Sequence, residues 1–142
     1  MRKLSLIFFP ILIAGTLLHA QVIFLQESFS TASGTTPPVG WTVHILKGDP
    51  LVDIWHFDNP GRQEPASPVT SPFAIFDSDR YSNNGQAEEV YLISPAFNAT
   101  TSDKISLEFD QYFKSGYGGA CGVELFNGTS WVSIYTNSTT TN

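Results

Sequence analysis

The chain of 142 residues contains a single cysteine, Cys121. A lone cysteine forms no internal disulfide, so the fold must be held by packing and hydrogen bonds. Small secreted domains built on disulfide frameworks are excluded. Cys121 lies among Gly118, Gly119, Ala120 and Gly122 and reads as a small strand residue rather than a reactive thiol. Basic side chains are scarce too: seven Lys and Arg stand against thirteen Asp and Glu. That balance argues against nucleic acid or an anionic membrane surface as a partner. The three histidines come with no His-Glu-x-x-His pattern and no thiolate cluster, which disfavours zinc. His44 and His56 read as surface residues of strands. Ser94 sits in no Gly-x-Ser-x-Gly turn, and Ser94-Pro95 reads as a strand stop. From Gln21 onward no stretch keeps a helical period.

What is present begins with a leader. Arg2 and Lys3 precede an apolar run over 4–18, and Leu18-His19-Ala20 offers a small residue at its end. This is the pattern of a secretory signal peptide. The run is shorter than the roughly twenty apolar residues of a membrane span. Cleavage after Ala20 leaves 21–142, enough for one domain with one core. Without Arg2 and Lys3 that part carries five basic and thirteen acidic side chains, a net charge of −8. Aromatic residues reach 13%, which predicts a two-sheet core filled by rings.

Short apolar runs are punctuated by Gly, Pro, Asn and Ser, the pattern of an all-β sandwich. Strands are predicted over 22–29, 41–45, 53–58, 73–77, 90–94, 104–113, 120–126 and 131–135. The alternation over 104–113 is the clearest: Ile105, Leu107, Phe109 and Phe113 face one way, and Ser106, Glu108, Asp110 and Tyr112 the other. Asn127-Gly128 predicts a hairpin turn. The prolines of 59–72 exclude a central strand there. Asn-x-Thr triplets at Asn98, Asn127 and Asn137 predict surface loops. The sequence ends in polar residues beside an apparent edge strand, so we expect the natural chain to continue past Asn142.

The stretch 73–95 holds the densest chemistry. An apolar run ends in Asp77 and Asp79, a polar loop with Asn83, Asn84 and Gly85 follows, and Glu88 and Glu89 lead into a second run. Calcium takes six to eight oxygens from adaptable loops of this kind. Counted from Asp77, an EF-hand-like loop places Glu88 at position twelve, but Ser82 stands where glycine is required, so the match is coincidental. Glu88 with Asp79 resembles a hydrolase acid pair, yet such pairs arise easily among thirteen acids. Trp41 and Trp55 read as core. Tyr81, Tyr112, Tyr117 and Trp131 are candidates to stack on sugar rings, with Tyr81 and Tyr117 the preferred ligand contacts.

In order along the chain stand Glu27-Ser28-Phe29, Pro37-Pro38-Val39-Gly40-Trp41, Trp55-His56-Phe57, Phe73-Ala74-Ile75-Phe76, Leu92-Ile93-Ser94-Pro95, Leu107-Glu108-Phe109-Asp110 and Phe126-Asn127-Gly128-Thr129-Ser130-Trp131. As a set they resemble the cleaved-adhesin, or choice-of-anchor J, domains of secreted Bacteroidetes proteins, which are similar to the MAM domains of animal cell-surface proteins. The resemblance spans 24–135. It implies an extracellular jelly-roll β-sandwich of two antiparallel sheets, with bound calcium, that acts as a non-catalytic adhesin-like module for a protein or glycan ligand. The alternative it implies is a structural accessory domain of a secreted peptidase or other hydrolase. Carried over by motif, the metal ligands are Glu27, Asp77 and Asp79. Asp53, ahead of the Trp55 segment, and Asp110, on the polar face of its strand, are further candidates.

Overall fold

The computed structural model describes residues 22–80, 86–116 and 118–141. The leader expected in 1–20 lies outside them. Among the described residues all regular structure is strand, arranged as two antiparallel sheets of two strands each, so the fold is all-β. The strands are β1 (Thr42–Lys47), β2 (Glu89–Ile93), β3 (Cys121–Phe126) and β4 (Trp131–Asn137). The described residues include no helix long and apolar enough to cross a membrane.

β1 and β2 pair although some forty residues separate them. The register runs from Thr42 opposite Ile93 to Lys47 opposite Glu89. Val43 and Ile45 are half-buried while Thr42 and His44 are exposed, the alternation expected of a strand with one covered face. Leu46 is the extra residue of a bulge between Ile45 and Lys47. β2 stops before Ser94-Pro95, where a Cβ on Gly40 would lie 3.0 Å from Pro95.

β3 and β4 form a local hairpin. Asn127 Oδ1 accepts the amides of Thr129 and Ser130, both at 3.0 Å, and Gly128 supplies a φ of 95°. Val123 opposes Tyr135 but Glu124 opposes Ser133, so Ile134 is a second extra residue. Cross-strand partners share a face. One face therefore carries Cys121, Val123, Leu125, Val132 and Tyr135, and the other carries Glu124, Phe126, Trp131 and Ser133.

Four predicted strands form, at 42–47, 89–93, 121–126 and 131–137. Segments 22–29 and 104–113 hold no strand, and 53–58 and 73–77 meet only in an isolated bridge between His56 and Ile75. Alternation makes a segment capable of pairing, but a strand also needs a neighbour to complete its ladder. The Pro-rich 59–72 holds no strand, as predicted.

The core is small. Phe57 is the one buried hydrophobic among the described residues. Phe29 packs on both Trp41 and Phe57, with ring centroids 5.6 Å apart in each case. Trp55 lies on Phe76 and donates its indole N–H to Val90 O at 3.4 Å. The rings thus gather in pairs and triplets rather than filling one interior. His56 is not a surface residue, since its side chain is 12% exposed with Nδ1 3.4 Å from Asp58 Oδ1.

Removing the buried ring of the triplet tests this core. Phe57→Ala is expected to cost roughly 3 kcal/mol, read as a lower denaturant midpoint at unchanged slope.

Candidate functional site

The β1–β2 ladder delivers two acidic segments to one place. After Lys47 the chain turns through Gly48 at a φ of 115°. Asp53 Oδ2 accepts the Asp49 amide at 2.6 Å, and Asp49 Oδ1 accepts the Leu51 amide at 2.9 Å. A Cβ on Gly48 would sit 2.6 Å from Asp53 Oδ2, so the glycine is required both for its backbone angle and for room. Asp53 is buried. Across the ladder, Lys47 Nζ contacts Glu89 Oε2 at 2.6 Å and the Tyr91 hydroxyl donates to Glu89 Oε1 at 2.8 Å. These contacts hold the Glu89 carboxyl below its ordinary range, the bond from Lys47 contributing most, and the same carboxylate raises the Tyr91 phenol. Lys47, Gly48, Asp49, Gln86 and Ala87 line a shallow, open depression of about 320 Å³ beside this turn.

Glu88 is the electrostatic centre. Burial pushes its carboxyl above the ordinary value, and Asp53 adds both its charge and a hydrogen bond. Asp79 pushes in the same direction. Burial and two carboxylate neighbours thus disfavour the charged form of Glu88.

Of the five acids expected at a metal, Asp53 hydrogen-bonds Glu88, and Asp79 acts on the same carboxyl through its charge. Glu27 Oε1 accepts the amides of Ser28 at 2.8 Å and Phe29 at 2.5 Å. It fixes Phe29 at a φ of 59°, which aims the ring at Trp41 and Phe57. Asp77 Oδ2 accepts Gln63 Nε2 at 2.9 Å and fills the space where Gly61 lacks a Cβ. With Arg80 Nη1 donating to Pro60 O, it clamps the proline-rich loop onto the 77–80 turn. Asp110 is exposed. Among the described residues no three His, Cys, Asp or Glu side chains converge as a metal-holding group. Tyr81 and Tyr117 lie outside the described residues, as does the loop tip 81–85.

A second surface lies on the hairpin. Phe126 opposes Trp131 with ring centroids 5.2 Å apart, and the two are 50% and 52% exposed. They flank the polar loop at Asn127 and Gly128. Behind the hairpin, Gln111 donates to Cys121 Sγ at 3.3 Å and accepts from the Tyr135 hydroxyl at 3.0 Å. Burial raises the Cys121 thiol pKa, so it stays protonated and behaves as packing. Asn98 and Asn127 are exposed as predicted, but Asn137 is buried, with its Oδ1 accepting from the Thr139 amide at 2.9 Å.

Asp53 and Asp79 were expected at a metal, Glu88 was weighed only as an EF-hand position and as an acid pair with Asp79, and Gln111 was not singled out. For Glu88 the usable signal was its spacing from Asp77. For Gln111 the only signal was a polar residue on the otherwise apolar face of 105–113.

No protein-family model, curated protein or solved structure matches the chain. The resemblance to choice-of-anchor J domains therefore rests on the motifs alone.

The raised Glu88 pKa has a signed consequence. Its contribution to stability is whole below the ordinary glutamate range and is lost as pH rises through the higher folded value. Glu88→Gln keeps a neutral side chain at every pH. In calcium-free buffer the variant should gain melting temperature over the wild type near neutral pH, and this gain should vanish in acid.

Proposed function

We propose that the chain is a secreted, non-catalytic, adhesin-like module of jelly-roll type that binds an extracellular protein or glycan. The observation that carries this reading is the exposed Phe126–Trp131 pair beside the Asn127-Gly128 loop. Adjacent exposed rings suit the apolar face of a pyranose or an apolar peptide side chain. The secretory leader and the acidic balance of 21–142 agree with an extracellular setting.

Calcium enters this reading as a structural cation. Asp53 and Asp79 are the candidate ligands that this reading keeps. Glu27 and Asp77 keep their structural bonds.

Two measurements test the proposal. A glycan array, followed by titration of the best hit, should show binding that Trp131→Ala weakens by about tenfold, the loss of roughly 1.4 kcal/mol of stacking. An array without hits, together with no captured extracellular protein that depends on Trp131, refutes the binding reading. Separately, calcium at about a hundred times its dissociation constant should add roughly 2.7 kcal/mol of stability. Chelator should reverse this, and Asp53→Asn should abolish it. A melting temperature indifferent to millimolar calcium removes the cation from the reading.

A further inference from the structure

Residues 104–110, Lys-Ile-Ser-Leu-Glu-Phe-Asp, have the strongest strand pattern in the chain and belong to no strand. All seven are exposed, and Ile105, Leu107 and Phe109 are about half exposed at 50%, 56% and 49%. None of their backbone groups is hydrogen-bonded to the backbone of another described residue. The segment is nonetheless anchored at its C-terminal side. Phe109 packs edge-on against Tyr135 at 5.8 Å, Gln111 bonds Cys121 and Tyr135, and Phe113 exchanges bonds with Thr141. A tethered, alternating segment with an open backbone is a template for strand addition.

We propose that residues 104–110 pair antiparallel with the same residues of a second copy of this chain, about a two-fold axis at Leu107. The sequence is complementary to itself in that register. Lys104 faces Asp110 of the second copy at both ends, Ile105 faces Phe109, Ser106 faces Glu108, and the two Leu107 side chains meet at the axis. Apolar residues oppose apolar residues on one face, and opposite charges oppose each other on the other face. Both are stabilising cross-strand pairs.

Neighbouring registers are worse. Moving the axis to Glu108 sets two Glu108 carboxylates against each other. Moving it to Ser106 sets Phe109 against Asp103. A shift by half a step pairs the apolar face with the polar one. Parallel in-register stacking brings Lys104 onto Lys104 and Glu108 onto Glu108. The self-complementary arrangement is isologous, with the same surface of both copies in contact. A strand pair of this length buries less than the roughly 1,600 Å² of a standard interface, so association is reversible and concentration-dependent.

The test uses residues 21–142. Analytical ultracentrifugation should show a monomer–dimer equilibrium, and hydrogen exchange should show protection of amides 104–110 that grows with protein concentration. Lys104→Asp and Asp110→Lys should each weaken the dimer by about tenfold, since each creates two like-charge pairs. The double reversal, which restores both pairs, should recover it. Circular dichroism confirms that each variant is folded, and the exchange measurement on the unmodified chain stands whether or not they are. The proposal is overturned by a monomer at every concentration, by a dimer that leaves 104–110 unprotected, by open-ended assembly, or by a double reversal no better than the single ones.

Discussion

The backbone ladder between β1 and β2 is the constraint on which the candidate acidic site depends. It joins positions 42 residues apart, Lys47 and Glu89, with an ion pair at its bulged end. Closing so long a loop is entropically unfavourable until the ladder is complete. Once it is closed, Asp53 lies beside Glu88 and Trp55 lies against the Val90 carbonyl. The β3–β4 hairpin needs no such help, because its four-residue turn is fixed by the side chain of Asn127. The two sheets therefore differ in kind: one is held by local turn chemistry, the other by distant partners that must meet.

A chain poor in basic side chains finds its positive partners in its own backbone. Glu27, Asp49 and Asp53 each accept amide N–H groups, and Asp77 accepts a side-chain amide. The side-chain oxygens of Asn98, Asn127 and Asn137 accept amides two residues ahead in the same way. Such bonds fix turns without requiring long cationic side chains. Glu88 differs, because burial first and then its carboxylate neighbours Asp53 and Asp79 disfavour its charge.

Composition and alternation revealed the all-β class, the four strands that form, the Asn127-Gly128 turn and the stop at Ser94-Pro95. They did not reveal which alternating segments find a partner, because pairing is decided by distant chain. Segment 104–113 reads as the best strand and has no ladder, while β2 reads less clearly and is fully paired. The acids were legible as acids but not by task. Glu27 and Asp77 were expected as ligands through the resemblance, and carboxylates at turns look alike in sequence whether they accept a cation or an amide. The pair Asp53 and Glu88 needed the β1–β2 register to become visible, and Gln111 needed the hairpin behind it.

The extra residue at Ile134 alters how β4 is to be read. Strict alternation from Trp131 would put Tyr135 on the same side as Trp131 and Ser133. The bulge inverts the parity at that point, so Tyr135 joins Val132 and Leu125 on the side where Phe109 and Gln111 are held. One inserted residue thus acts as a phase shift in a two-beat pattern. It keeps the aromatic pair at Phe126 and Trp131 on the opposite side of the hairpin from the tyrosine that anchors the 104–113 segment. The same short hairpin can then present an exposed aromatic side and a chain-facing side without a third strand to separate them.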